Sequence, residues 1–386
     1  MDNYFAITAP GLEPFTSLEL TDLGLLAVPV LEESSQAGVA FKGDLPALYR
    51  ANLHLRTASR VLARVGTFFY ATTYPELQKR TSRPPWERFL APGQPILVRV
   101  TCRQSKLYNS EAVTRSVAAG LEERLGKASP LVKADEESDG HPPQMIVVRL
   151  VDDKCTLSVD SSGALLHKRG YRLAVAKAPL RETLAAALLI ASGWDTSTPL
   201  LDPFCGSGTI PIEAALLRLG LPPGLNRRFA FMDWPGFAPS AFNDQLSAIR
   251  AQQSTISNQK SAICIQASDR DAGAIRMAHE NAARAGVEAA IEFKCQAVSS
   301  ITPPPGPGWV VTNPPYGVRV SQGSDLRNLY AQFGNVLRRV CPGWNVAVLC
   351  NDPILLGQMQ LELDTSLGFV NGGIGVRLAR AVVPTL

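Results

Sequence analysis

The chain has 386 residues, 46% of them hydrophobic and 19% charged. That length exceeds what one compact core holds and that composition is too apolar for disorder, so a small single module and a disordered chain are both excluded and two or three globular domains are predicted. Thirty-eight basic against 34 acidic side chains give a formal charge of +4, which names no partner until its distribution along the chain is read.

The N-terminal half alternates short β-rich runs with amphipathic helices, a small α+β pattern. YFAIT reads as a strand, PGLEPFTSLELTDLG as a helix and GVAFKG as a strand. DLPALYRANLHLRTASRVLARV reads as an amphipathic helix, with Asp44 as N-cap, Pro46 in the first turn and Leu48, Leu53 and Leu55 among its apolar positions. PILVRVTCRQSKL predicts a strand running into a basic turn, EAVTRSVAAGLEERLG a helix, and MIVVRLVDDKCTLSVDSSG a hairpin turning at Asp152 and Asp153. The polar, Pro-containing stretch ASPLVKADEESDGHPPQ is expected in an exposed loop. Charge is uneven across this half. Residues 1–50 hold two basic and seven acidic side chains, whereas residues 51–120 hold eleven basic and three acidic, beginning at Arg56 and including Arg80, Arg83, Arg99, Arg103 and Lys106. The excess points to a polyanion-facing surface; the blander alternative is a solvated face that happens to be basic.

Near residue 165, after SGALL and into HKRGYRLAVAKAP, the texture changes to long apolar helices alternating with single short strands. The strands are PLLD (199–202), AICIQASD (262–269), IEFKC (291–295), GWVVTNPP (308–315) and NVAVLC (345–350), with helical patterns such as TIPIEAALLRLG and AGAIRMAHENAARAGV between them. Such repetition predicts a parallel, doubly wound α/β sheet. Seven cysteines without a CxxC pair and four scattered histidines argue against a structural zinc or a disulfide scaffold. No apolar stretch approaches the roughly 20 residues of a membrane span, and MDNYFAITAPGLE lacks a basic n-region and an apolar h-region. A cytoplasmic protein that uses neither membrane nor metal is expected.

Three motifs carry the chemistry. The first runs from Asp202 through Pro203, Phe204, Cys205, Gly206, Ser207 and Gly208 to Thr209, at the carboxyl end of the first strand of the α/β half. Glycines there let backbone approach a ligand closely. Ile212 stands where a dinucleotide fingerprint has its third glycine, so a nucleoside without a pyrophosphate fits better. The second is Asp269 at the end of the second strand, placed to accept hydrogen bonds from ribose hydroxyls, with Asp271 competing for that role. Its distance of 67 residues from Asp202 implies that LPPGLNRRFAFMDWPGFAPSAF is an insertion. The third is Asn313-Pro314-Pro315-Tyr316-Gly317 after the fourth strand. The prolines restrict the backbone, so the Asn313 side-chain carbonyl and the Pro314 main-chain carbonyl can both face one donor. Two acceptors holding the hydrogens of a flat exocyclic amine favour a pyramidal nitrogen with its lone pair aimed at an electrophile, and Tyr316 offers a ring on which an extruded base can stack.

With these motifs in view, LLDPFCGSGTIPIEAAL, ASDRDAGAIRMAHENAARAGV and TNPPYGVRV resemble the class I S-adenosylmethionine-dependent N-methyltransferases. Combined with APLRETLAAALL, HKRGYR and SKLYNSEAV, nearly the whole chain is similar to the THUMP-domain RNA guanine-N2 methyltransferases, and most to the bacterial branch acting on 23S ribosomal RNA. The resemblance implies a ferredoxin-like domain over residues 1–62, a THUMP RNA-binding domain over 63–165 and a Rossmann-like methyltransferase domain over 166–386. It implies S-adenosylmethionine as cofactor, with Asp202, Phe204, Gly206 and Gly208 around its methionine part, Asp269 on its ribose, and Pro179, Glu182 and Thr183 closing from the other side. Asn313, Pro314, Pro315 and Tyr316 match the catalytic loop. Where many relatives place an aspartate for the adenine amine, this chain has Gln296, whose amide oxygen accepts that bond without charge. The expected function is N2-methylation of guanosine in structured RNA, 23S ribosomal RNA first and tRNA as the alternative, with the RNA held by the basic N-terminal half through phosphates and shape. A reading of a different class is a non-catalytic RNA-binding factor in ribosome assembly.

Overall fold

The computed structural model describes the chain except for residues 29–36, 134–141, 173–179, 258–264, 317–325, 372 and 386. Residues 134–141 of the loop expected from ASPLVKADEESDGHPPQ, and Pro179, therefore lie outside the described residues. The N-terminal half is built on eight strands: β1 (Asp2–Ile7), β2 (Leu26–Val28), β3 (Gly38–Gly43), β4 (Arg60–Arg64), β5 (Phe69–Tyr70), β6 (Ile96–Arg103), β7 (Gln144–Val151) and β8 (Lys154–Asp160). They form one sheet in the order β2-β3-β1-β4-β8-β7-β6, with β5 paired to β8. The hairpin β7–β8 turns at Asp152 and Asp153, whose φ values of 50° and 62° lie in the left-handed region that a tight two-residue turn requires.

One expected element is corrected. The stretch from Asp44 to Val65 is not a single helix: the helix Leu45–His54 ends at Leu55, and β4 follows. Asp44 does cap that helix, its Oδ1 accepting the Ala47 N–H at 2.9 Å. β4 pairs with β1 on one side and β8 on the other. Its residues are buried on both faces, so RVLAR has no period-two alternation to separate it from an apolar helical run.

The C-terminal sheet contains β9 (Leu200–Asp202), β10 (Ile265–Asp269), β11 (Ile291–Cys295), β12 (Trp309–Thr312), β13 (Asn345–Cys350), β14 (Asp364–Asn371) and β15 (Ile374–Val382). Their order is β11-β10-β9-β12-β13-β15-β14. The five strands expected to be parallel are so. The purely parallel sheet is corrected by β15, which runs antiparallel to β13 and carries β14 at the edge. Its own signal was the alternation of buried Val376 and Leu378 with Arg377. Chain order reverses at β9, which lies between β10 and β12; this is the switch point where open α/β sheets bind ligands.

The insertion between the helix Thr209–Arg218 and β10 serves the other half of the molecule. Phe229, Phe231, Trp234, Phe242 and Ile249 are buried in the same core as Tyr49 and Phe89. The Phe231 ring stacks on Tyr49 at 4.6 Å and on Phe229 at 5.2 Å, and Trp234 meets Phe89 edge-on at 4.9 Å. Trp234 Nε1 donates to Gln144 Oε1 at 2.8 Å, and Gln245 Nε2 to the Pro46 carbonyl at 3.0 Å.

Buried charge fixes the connector. Arg169 donates to the Leu166 and Arg56 carbonyls, each at 2.6 Å, and its Nε lies 3.4 Å from Glu213 Oε1, which also accepts from the Tyr171 hydroxyl at 3.1 Å. Arg56 in turn donates to the Leu221 carbonyl at 2.7 Å. Arg56 and Arg60 are therefore interior, Arg60 paired with Asp160, and do not belong to the expected polyanion-facing surface; Arg83, Arg99, Arg103 and Lys106 are exposed.

Because Phe231 is fully buried in the core of the N-terminal half, Phe231→Ala should cost about 3–5 kcal/mol. Urea denaturation followed by circular dichroism measures it, and a loss below about 1 kcal/mol would mean that the insertion does not complete this core.

Candidate cofactor and amine site

The loop after β9 turns through two left-handed glycines, Gly206 at φ 52° and Gly208 at φ 87°. A Cβ on Gly208 would come within 3.0 Å of Ala278 Cβ, so helix packing demands glycine there. A Cβ on Gly206 would meet nothing within 4 Å, which leaves open space against bare backbone. Asn281 Nδ2 supports the turn from behind, donating to the Ser207 carbonyl at 3.0 Å.

Asp269 joins this loop to β10. Its Oδ2 accepts the Gly206 N–H and its Oδ1 the Asp271 N–H, each at 3.0 Å. Asp271 is occupied as the N-cap of the helix Ala272–Ala285, its Oδ1 accepting from Gly273 and Ala274. Only Asp269 thus faces the glycine loop, with lone pairs left on both oxygens. Gln296, half-buried, donates its backbone N–H to the Asp269 carbonyl at 2.9 Å.

Asp202 is buried at the carboxyl end of β9. Its Oδ1 accepts the Thr312 hydroxyl at 2.6 Å and the Phe204 N–H at 3.2 Å, while Oδ2 has no partner among the described residues. Burial pushes its pKa up to about 7, with the Asp269 charge adding to the rise against those two hydrogen bonds. Thr312 ends β12 and places Asn313 next in the chain, where Oδ1 is a second buried oxygen without a partner among the described residues. Pro314 is buried, Tyr316 is half-buried between the two cores of this half, and the Tyr330 hydroxyl lies 3.3 Å from the Pro315 carbonyl oxygen that it can donate to. Phe204 meets Phe333 edge-on at 5.2 Å.

Glu182 opens the helix Glu182–Ser192 and is buried, its Oε1 lying 3.4 Å from Arg172 Nε and its Oε2 without a partner among the described residues. Burial raises its pKa. Arg172 also bonds Thr209, the first helical residue after Gly208, and thereby ties Glu182 to the glycine loop. Thr183 is not drawn into these contacts; it lines a separate cavity of about 160 Å³ with Thr8, His167 and Arg181. Thr312, Asn281 and Arg172 escaped the sequence analysis, although Arg172 lies in the quoted segment HKRGYR and Thr312 directly precedes Asn313.

Residues 169–380 match the family model of the RMKL-like methyltransferase domain. The chain belongs to that family. Residues 3–62 match the RlmL ferredoxin-like domain and residues 71–160 the THUMP domain. A protein of Synechocystis sp. (strain ATCC 27184 / PCC 6803 / Kazusa), described as an RNA methyltransferase, is 33% identical over 98% of this chain and 96% of its own length. The ribosomal RNA large subunit methyltransferase K/L of Shewanella sp. (strain W3-18-1) is 33% identical over 97% of this chain, which spans only 52% of that protein. A crystal structure of a methyltransferase complexed with SAH superposes with a TM-score of 0.84 at 27% identity, covering 100% of this chain and 99% of that one. The chain carries a methyltransferase domain of that family, and S-adenosylmethionine is the methyl donor against which its site can be tested.

The residues present suit that cofactor. It carries a sulfonium and an ammonium, and the site offers buried carboxylate oxygens without partners at Asp202 and Glu182, open space over Gly206, and an oriented carboxylate at Asp269 for hydroxyls. Among the described residues no group of three or more His, Cys, Asp and Glu could hold a metal ion.

The folded-state pKa of Asp202 lies above its ordinary 3.8, at about 7. The folded protein therefore binds this proton more tightly than the unfolded chain, and the stabilisation present below pH ~4 declines as pH rises to ~7 and is flat beyond. Urea melts across that interval should show a shallower decline for Asp202→Asn than for the wild type. Equal slopes would mean that Asp202 is ionised in the folded protein throughout.

Proposed function

We propose that the chain transfers a methyl group from S-adenosylmethionine to the exocyclic N2 of guanosine in structured RNA, with 23S ribosomal RNA as the substrate and the cytoplasm as its place of action. The observation that carries this reading is the unpartnered, buried Asn313 Oδ1 at the end of β12, one residue beyond the Thr312 that bonds Asp202. An acceptor withheld from water is costly unless something donates to it, and an amine N–H is the donor that the chemistry brings.

Bound S-adenosylmethionine supplies an electrophilic methyl group. Asn313 Oδ1 and the Pro314 carbonyl accept the amine hydrogens, so that the nitrogen lone pair faces away from them and toward that methyl. Tyr316 stacks on the base, and the Tyr330 hydroxyl at 3.3 Å from the Pro315 carbonyl steadies the loop between the prolines and the ring. With S-adenosylhomocysteine as the leaving group, the methylated nitrogen would be acidic and would lose its proton to water. Asp202, Glu182 and Asp269 act as cofactor acceptors, with Phe204, Gly206 and Gly208 around the methionine part; Gln296 accepts from the adenine amine. Catalysis is then positioning in a preorganised site, without a covalent enzyme intermediate.

The RNA substrate is supported by the THUMP match over residues 71–160 and by the names of relatives that act on large-subunit ribosomal RNA. No helix among the described residues is long and apolar enough to cross a membrane. Exposed Arg83, Arg99, Arg103 and Lys106 on that half suit phosphate contacts.

Incubation with labelled S-adenosylmethionine and, separately, protein-free 23S RNA and tRNA, followed by digestion to nucleosides, should place label in N2-methylguanosine from the ribosomal pool. Asn313→Ala should lower turnover by at least about 100-fold while leaving RNA affinity unchanged. Label in another nucleoside overturns the acceptor, label only from tRNA overturns the substrate, and undiminished turnover in the variant overturns the role of Asn313.

A further inference from the structure

Three large aromatic side chains stand in solvent on the N-terminal half: Phe68 is 51% exposed, Tyr70 58% and Tyr108 80%. Scattered apolar residues on a surface need no explanation, but these share one end of the sheet. Tyr70 pairs with Lys154 across β5 and β8. At the neighbouring β7–β8 turn, the Asp153 carbonyl accepts the Ala71 N–H at 3.0 Å while its Oδ1 accepts the Lys106 N–H at 2.7 Å. The Asp152 N–H donates to the Arg103 carbonyl at 3.1 Å. One turn thus brings the segment of Phe68 and Tyr70 beside the segment of Arg103, Lys106 and Tyr108.

Two of the three rings, Phe68 and Tyr70, are set against each other, and Phe68 also against charge. Phe68 and Tyr70 lie 6.2 Å apart at 88°, and Lys154 Nζ sits 3.9 Å over the Phe68 ring. Arg103 and Lys106 are exposed alongside. Aromatic faces interleaved with cations suit an unpaired strand, whose bases stack while its phosphates meet the basic groups. A duplex offers phosphates there but no free base face.

We propose that Phe68, Tyr70 and Tyr108, with Arg103, Lys106 and Lys154, form a stacking platform for an unpaired segment of the RNA substrate. This rests on the reading of the chain as an RNA methyltransferase and adds to it the strandedness of the RNA on the N-terminal half. The platform works apart from the amine site, holding a single-stranded element that flanks the folded region carrying the target guanosine.

The full chain is titrated with a single-stranded RNA of about 12 nucleotides containing 2-aminopurine, and with a blunt RNA duplex of the same length. Wild-type protein should bind the single strand with quenching of the 2-aminopurine fluorescence. Phe68→Ala with Tyr70→Ala should weaken that binding by about 10-fold or more, abolish the quenching and leave duplex affinity and thermal midpoint unchanged. Phe68→Leu with Tyr70→Leu, which keeps apolar bulk but no ring, should behave as the alanine pair does. Arg103→Gln with Lys106→Gln should instead weaken both RNAs and flatten the salt dependence by about one to two units of log slope. Undiminished binding and quenching in the ring variants, or equal weakening of both RNAs, overturns the platform alone. Wild-type protein that binds neither probe nor a 23S transcript overturns the RNA reading and the platform with it.

Discussion

Glu213 has no exposed side-chain surface, and the structure depends on what surrounds it. A carboxylate withdrawn from water is tolerated only when cations and hydroxyls replace the lost hydration. Here they are Arg169 and Tyr171, with Arg56 close enough to feel the charge. Glu213 belongs to the helix that begins at the glycine loop, whereas Arg169 and Tyr171 belong to the connector and Arg56 to the N-terminal half. One buried carboxylate therefore fixes the glycine loop and its helix to the N-terminal half. Loss of a single partner would strand the others without compensation, which ties binding geometry to folding at this junction.

The second constraint is the switch point between β10, β9 and β12. Three consecutive carboxyl ends deliver Asp269, Asp202 and Thr312, and hydrogen bonds tie each to the glycine loop or to Asp202. Most of the polarity at these strand ends is satisfied by the protein itself; among the described residues Asp202 Oδ2, Glu182 Oε2 and Asn313 Oδ1 are left without hydrogen-bond partners, as are Ser268 Oγ and Arg172 Nε.

Much of this was legible in the sequence, for local reasons. A glycine pair after an apolar strand, an aspartate closing the next strand and prolines after the fourth are all short-range signals, and β9 to β13 fall where the apolar runs predict. β4 was hidden because burial on both faces erases alternation. The antiparallel pair β14–β15 was overlooked, although Val376 and Leu378 alternate with Arg377. Asp269 and Asp271 could not be separated until Asp271 was found capping a helix. Contacts between distant segments left no local trace: nothing near Arg56 tells that it turns inward to the Leu221 carbonyl, and nothing near Trp234 names Gln144 as its partner.

The aromatic insertion bears on the order in which the molecule can be made. The N-terminal half is synthesised first, yet Tyr49 and Phe89 lack the neighbours that complete their core until Phe231, Trp234 and Phe242 follow. Domains released from the ribosome usually fold in turn; here the leading half emerges with an apolar face that its own residues do not cover. It must wait, partly collapsed and exposed to chaperones, for about half of the later half to appear. The core of the N-terminal half therefore closes only after the segment preceding β10 has been translated.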